Sequence, residues 1–156
     1  VDFRDYQLAL RPAEKTDCRL VYEWRNNPKV RRFFFDPTEI PFGTHKTWFE
    51  ESLARSDRTI LIAQLGDVPV GVIRFDIAEN GESAEVDIYI DPQKHGQGLG
   101  TQLLETGEQW VTENTRVRAL KANVMTANVA SIRMFIRCGF RNDVVRLVKE
   151  LRREGP

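Results

Sequence analysis

The chain has 156 residues, 41% of them hydrophobic and 29% charged, enough for one domain with a real core and too few for two ordinary ones. Its 23 basic and 23 acidic side chains cancel, so no overall basic field argues for nucleic acid or an anionic membrane surface. No apolar run approaches spanning length, no signal peptide opens the chain, and Cys18 and Cys138 make no disulfide framework, a pattern that fits a reducing cytoplasm. The first residue is Val1 rather than Met, which leaves room for residues upstream.

Residues 7–11, QLALR, alternate and read as a first strand ended by Pro12. Asp17 is placed to cap a helix with apolar positions Leu20, Val21 and Trp24, and Asn26-Asn27-Pro28 interrupts it. Residues 30–35 carry Arg31, Arg32 and three consecutive phenylalanines. Three aromatics in a row cannot all face one core, so at least one is expected at a pocket or a partner. After a loop over 37–43, Thr44 is expected to cap a second helix that buries Trp48, Phe49 and Leu53. His45 then falls at the helix start, where a surface or capping role is expected at least as readily as a catalytic one.

Residues 59–65 read as a buried strand, Gly66-Asp67 as a turn and 70–77 as the hairpin partner. Asn80-Gly81 signals a second hairpin turn, into a central strand over 84–90. A helix to about Val111, a strand over 117–124 and a helix over 127–137 follow. Val144, Val145, Leu147 and Val148 predict a last strand or pair, and 150–156 a solvated charged tail. The order β-α-α-β-β-β-α-β-α-β describes an α/β fold on one mixed sheet, with residues 1–156 as a single domain.

The chain is organised around residues 86–104, VDIYIDPQKHGQGLGTQLL. A strand runs into Asp91-Pro92, three glycines follow, and helical spacing resumes at Leu99, Leu103 and Leu104. Helix N-terminal amides lack intrahelical partners and carry partial positive charge, and glycines let an anion approach them. A Walker loop would need Gly-Lys-Ser/Thr, but Thr101 follows Gly100 directly. A dinucleotide fingerprint would need G-x-G-x-x-G and a later acid, but the spacing is G-x-G-x-G. Taken alone, residues 95–100 fit an ordinary strand-to-helix turn equally well.

His95-Gly96-Gln97-Gly98-Leu99-Gly100, after a strand ending Ile90-Asp91-Pro92, resembles the acetyl-CoA pyrophosphate loop of the GNAT superfamily of N-acetyltransferases. Downstream, Asn128-Val129-Ala130-Ser131-Ile132-Arg133-Met134-Phe135 and Cys138-Gly139-Phe140 resemble that family's second block. The resemblance implies a single-domain mixed sheet, mostly antiparallel, with helices on both faces and a splayed central strand pair. It implies acetyl-CoA as co-substrate, with its pyrophosphate at His95, Gly96, Gln97, Gly98, Gly100 and Thr101. The pantetheine arm would lie along Ile88 and Ile90, with Asn123, Asn128, Ser131 and Phe135 around it. The alternative for Asn128 is a cap on the helix that starts there. A backbone amide of Tyr89 or Ile90 would polarise the acetyl carbonyl.

Glu85, Asp87 and Tyr89 lie on one face of the central strand and Val86, Ile88 and Ile90 on the other. Glu85 is the first candidate for the general base, because family members often place a glutamate there. Asp87 is the second, and His45 the third because it titrates near neutrality. The chain departs from the family pattern twice. Phe135 stands where a tyrosine acid is usual, and His95 where Gln or Arg is usual. A thiol pKa of ~8.5 keeps the thiolate a tolerable leaving group without that acid.

Tyr22-Glu23-Trp24-Arg25-Asn26-Asn27-Pro28 and His45-Lys46-Thr47-Trp48-Phe49 look like the ribosomal-protein and amino-sugar branch of the superfamily, the acetyltransferases of pseudaminic acid biosynthesis included. That branch implies acceptor contacts from Trp24, Arg25, Asn26, Arg31, Arg32 and Phe34, with Lys29 nearby. Cations would meet a nucleotide diphosphate and aromatics a base or a deoxy-sugar methyl. The expected partner is a small-molecule amine, a UDP-amino sugar by this reading, in a protein open to homodimerisation. The alternatives are an N-terminal or ribosomal-protein acetyltransferase, and a silent acetyl-CoA-binding module suggested by Phe135. No metal site is expected.

Overall fold

The computed structural model describes residues 7–149. Two hairpin turns organise its sheet. Gly66-Asp67 folds β2 (Arg58–Leu65) back onto β3 (Val68–Ile77), and Asn80-Gly81 folds β3 onto β4 (Ser83–Ile90), as the sequence predicts. β1 (Leu8–Pro12) pairs antiparallel with β2. β5 (Ala119–Lys121) joins β4 in parallel, with Ser83, Ala84 and Glu85 opposite Ala119, Leu120 and Lys121. The result is a mixed five-stranded sheet in the order β1-β2-β3-β4-β5, antiparallel except at its last pair.

Strand alternation divides the core in two. Leu61, Ala63, Ile73, Phe75 and Val86 face one side. There α4 (Leu99–Asn114) and α5 (Val129–Arg137) bury Leu103, Leu104, Met134 and Phe135. Ile60, Ile62 and Val72 face the other side, against α1 (Cys18–Asn26) and α3 (Phe42–Ala54), which supply Cys18, Val21 and Phe49. Phe49 is fully buried, worth about 2–3 kcal/mol relative to an exposed ring. The short α2 (Pro28–Arg31) follows α1 and is capped by the Asn27 side chain, which accepts from the Lys29 N–H at 3.0 Å. Helices therefore cover both faces.

Four local expectations change. Asp17 does not cap α1. Its carboxylate accepts from the Glu14 N–H at 2.8 Å and from both ends of the Arg11 guanidinium at 2.7 Å, and so tightens the turn before the helix. Thr44 lies inside α3 rather than at its cap. The helix starts at Phe42 after Pro41, where the Phe42 ring packs edge-on to Tyr22 at 5.1 Å. The strand expected over 117–124 shrinks to β5, with three residues.

The strand expected after Phe140 does not form. Val144, Val145, Leu147 and Val148 are 79% to 89% exposed, and no described strand pairs with them. Apolar β-branched composition makes a strand only where a partner edge and a core face exist. The charged tail over 150–156 lies outside the described residues. Among the described residues, no helix is long and apolar enough to cross a membrane.

Candidate active site

Pairing between β4 and β5 ends at Glu85 and Lys121. Beyond them, one edge of β4 has no strand beside it. The Glu82 carbonyl accepts from the Arg118 N–H at 2.7 Å, on the β5 side, whereas the Asp91 N–H donates to the Val70 carbonyl at 2.9 Å, on the β3 side. Backbone groups alternate along a strand. Even-numbered residues of β4 therefore turn their N–H and C=O toward β5, and odd-numbered ones toward β3. The amides of Ile88 and Ile90 face the open edge, and that of Tyr89 does not. Of the two amides the sequence leaves open for the acetyl carbonyl, only that of Ile90 is free to meet it.

Past Ile90 the chain makes one tight turn. The Asp91 carboxylate accepts from the Gln93 N–H at 3.0 Å and from Lys94 Nζ at 2.6 Å. His95 Nε2 then reaches back to the Ile90 carbonyl at 3.1 Å and ties the loop to the strand. Gly96 and Gly98 take φ of +79° and +76°, where a side chain would strain the backbone. The space beside both is open. α4 begins at Leu99 with no side chain capping it, so its first amides remain available. An open, unstrained turn that leads to free helix amides fits a pyrophosphate. On the adjoining helix α5, Asn128 caps the first turn by accepting from the Ser131 N–H at 3.3 Å.

The open edge and the glycine turn border a cavity of about 770 Å³. Asp87 and Tyr89 line it from the α1/α3 face of the sheet. Asp87 lies directly opposite Arg74 on β3, whose Nη2 is 3.4 Å from Asp87 Oδ2 and whose Nε is 3.0 Å from Asp76 Oδ2. Burial pushes the Asp87 carboxyl above the usual carboxylate range, while Arg74 and the Ile88 N–H pull the other way. Burial also raises the Tyr89 phenol, reinforced by Asp87, so Tyr89 stays protonated. The Phe34 ring meets Tyr89 edge-on at 6.2 Å, and the Arg25 guanidinium lies 4.8 Å over Phe34 while donating to the Thr38 carbonyl at 3.1 Å. Lys29, Arg32, Phe33 and Phe35 continue this wall.

Most of the sequence-derived candidates converge on the cavity. Glu85, Asp87, Tyr89, Ile88, Ile90, His95, Gly96, Gly98, Gly100, Asn123, Asn128, Ser131 and Phe135 all line it, and so do Arg25, Arg32 and Phe34. Trp24, Asn26, Arg31, Gln97 and Thr101 are not among its lining residues. Trp24 is buried. The Asn26 amide is spent on Ile40, donating to its carbonyl at 2.8 Å and accepting from its N–H at 3.0 Å. Arg31 pairs with Glu39 at 3.3 Å.

His45 borders the cavity but is only 2% exposed, not on the surface as expected. It sits among Tyr22, Trp48 and Phe49, and burial lowers its pKa. Sequence reading missed Arg74. The signal was present, because a hairpin turn at Asn80-Gly81 sets Arg74 opposite Asp87.

Comparisons with known proteins agree with this geometry. The family described as acetyltransferase (GNAT) domain matches residues 7–141. The chain is 24% identical over 140 residues to an uncharacterized protein of Methanocaldococcus jannaschii, covering 88% of this chain but only 28% of that protein's length. It is 24% identical over 119 residues to acetyltransferase PseH of Campylobacter jejuni, covering 76% of this chain and 73% of that one. The structure of spermidine N-acetyltransferase from Vibrio cholerae, in complex with CoA and spermine, superposes with a TM-score of 0.81 at 20% identity. That match covers 88% of this chain and 83% of that one, and it is a likeness of fold.

Proposed function

The chain belongs to the GNAT acetyltransferase family, whose domain transfers an acetyl group from acetyl-CoA to an amine, and on that premise we propose that its acceptor is the 4-amino group of a nucleotide-linked amino sugar. The observation that carries this reading is the cavity wall built by Arg25, Lys29, Arg32, Phe33 and Phe34. None of those three cations is in an ion pair among the described residues. Cations that no carboxylate pairs, beside flat apolar rings, suit a diphosphate joined to a base and a deoxy sugar, although Arg25 already donates to the Thr38 carbonyl. PseH, an acetyltransferase by name, is among the relatives, which supports acetyl transfer and leaves the acceptor to the cavity wall.

Acetyl-CoA supplies an acetyl group activated as a thioester. The amides of residues 97–101 would hold its pyrophosphate, and the open edge of β4 would take its arm. The Ile90 N–H stabilises charge that develops on the carbonyl oxygen, at no cost in reorganisation. Asp87 takes the proton from the acceptor ammonium. A carboxyl whose pKa burial holds above the usual range is a stronger base than an ordinary one. Glu85, first choice from sequence, is exposed and lies opposite Lys121, where the strands are still paired. Asp87 lies in the splayed stretch, next to the free amides.

A second reading has its own support. Asp36, Glu85 and Asp87 also line the cavity, and carboxylates suit a polyamine such as the spermine in the Vibrio cholerae complex. The deciding experiment is an acceptor screen that detects thiol release, offering UDP-linked 4-amino sugars, spermidine and N-terminal peptides. Turnover of the amino-sugar nucleotide is the expected result. Turnover of spermidine alone establishes the second reading, and turnover of peptides alone makes the chain a protein N-acetyltransferase.

A further inference from the structure

Four charged side chains cross the α1/α3 face of the sheet in alternating sign. Arg58 on β2 bonds Asp76 on β3, its direct cross-strand partner, and also donates to Ser52 Oγ on α3 at 2.9 Å. Arg74 bonds Asp76 through Nε at 3.0 Å and reaches Asp87 on β4 through Nη2 at 3.4 Å. Both guanidinium carbons lie over the Trp48 ring, at 5.6 and 5.8 Å. The row ends at the cavity, where 37% of the Asp87 side chain meets solvent.

We propose that Arg74 is a positioning residue for the reaction: its guanidinium, divided between Asp76 and Asp87, holds the Asp87 carboxylate ionised and in register to receive the acceptor's proton. This rests on the assignment of Asp87 as the base. A planar guanidinium presents donors in a fixed fork, so one group can orient two carboxylates at once. Arg58 and Ser52 anchor the far end of the row.

The division of Arg74 sets the chemistry. The groups that face Asp87 are Arg74 and Asp76 from β3, Glu85 and Tyr89 from its own strand and Arg25 from α1. α3 adds the uncharged Trp48 ring and His45, whose burial favours its neutral form. Without Arg74, a half-buried carboxyl is left beside the like charges of Asp76 and Glu85. It keeps its proton to higher pH and cannot accept one from the amine. Without Asp76, Arg74 turns wholly to Asp87 and a like charge disappears, so Asp87 ionises at lower pH. Neighbouring substitutions in one row therefore move one group in opposite directions. Loss of a merely structural contact would not do that.

The test is the titration midpoint of the Asp87 carboxyl carbon, followed by NMR in isotope-labelled full-length protein. It is paired with the acid limb of kcat/KM, measured with a UDP-linked 4-amino sugar and with spermidine. Arg74→Gln should raise the midpoint by about one pH unit or more, the size of a lost adjacent charge. Asp76→Asn should lower it by about half a unit, and Arg74→Lys should restore most of the unmodified value. Where an acceptor is turned over, the acid limb should move with the midpoint. Midpoints that stay put in the folded variants, or that move together in one direction, overturn the proposal. If Arg74→Gln does not fold, Arg74→Lys and Asp76→Asn still separate these outcomes. An acid limb that survives Asp87→Asn removes the base assignment instead, and is read separately from the midpoints.

Discussion

The imidazole Nε2 of His95 lies 3.1 Å from the carbonyl oxygen of Ile90. A carbonyl only accepts, so this nitrogen carries the hydrogen in the bond. The contact fastens the glycine turn to the residue whose amide faces the open edge of β4. His95→Ala should weaken acetyl-CoA binding by about fivefold, the equivalent of one hydrogen bond of about 1 kcal/mol. His95→Gln, which can still donate, should lose less. Calorimetry on the two variants checks both.

Gly98 has a positive φ and open space beside it. An aspartate tolerates that backbone better than most side chains, so Gly98→Asp should fold. Its carboxylate would stand at the amides proposed for the pyrophosphate and repel it. Acetyl-CoA affinity should fall by at least about tenfold, given like charges at contact distance. Unchanged affinity in the folded variant would refute the assignment.

Phe135 is buried in the cavity wall, with its ring edge-on to Phe140 at 4.9 Å. It has no proton to give, and an ordinary thiol is acidic enough to leave as thiolate. Phe135→Tyr should therefore change turnover by less than about tenfold. A gain of about a hundredfold, the low end for a general acid, would mean that the unmodified protein lacks a step its relatives use.

Lys29 and Arg32 line the cavity, whereas Arg31 is paired with Glu39 outside it. Lys29→Ala combined with Arg32→Ala should raise the Michaelis constant for an amino-sugar nucleotide by about tenfold and flatten its dependence on salt, with little change in kcat. Arg31→Ala should leave both parameters alone. Steady-state kinetics at two ionic strengths separate these outcomes.

His45 links the cavity wall to stability. Burial lowers its pKa, the bond to the Cys18 backbone opposes this, and Arg25 adds to the lowering. In the unfolded chain the ring titrates near 6.5. Between the lowered folded value and that pH, the unfolded chain binds more protons, so stability is full above about 6.5 and declines as pH falls through it. His45→Phe suits the surrounding aromatic rings and should remove that share of the decline. Urea midpoints of the two proteins, compared at pH 7.5 and 5.5, should differ more at the lower pH.

The sequence by itself determined what depends on neighbours along the chain. The strand-to-helix turn at residues 95–100 was legible because glycines, a preceding strand and a following helix are local. The two faces of β4 followed from strict alternation. Both hairpins followed from Gly66-Asp67 and Asn80-Gly81, whose turns are local, although a bulge at Ala63/Gln64 shifts the register of the first.

Tertiary structure decided what depends on residues far apart. Asp17 and Thr44 look like caps, but Arg11 and the Glu14 N–H take the Asp17 carboxylate, and α3 starts at Phe42, before Thr44. His45 looked like a surface or capping residue at a helix start until α1 packed against α3 and set Tyr22 on it. Residues 144–148 look like a strand and form none, because no described edge pairs with them. Arg31 and Arg32 are adjacent in sequence, yet only Arg32 reaches the cavity, since Glu39 holds Arg31. The proposal of Ile90 over Tyr89 rests on which edge each amide faces, and that of Asp87 over Glu85 on where β5 leaves β4. That point is set by packing between distant segments, and no window of sequence contains it.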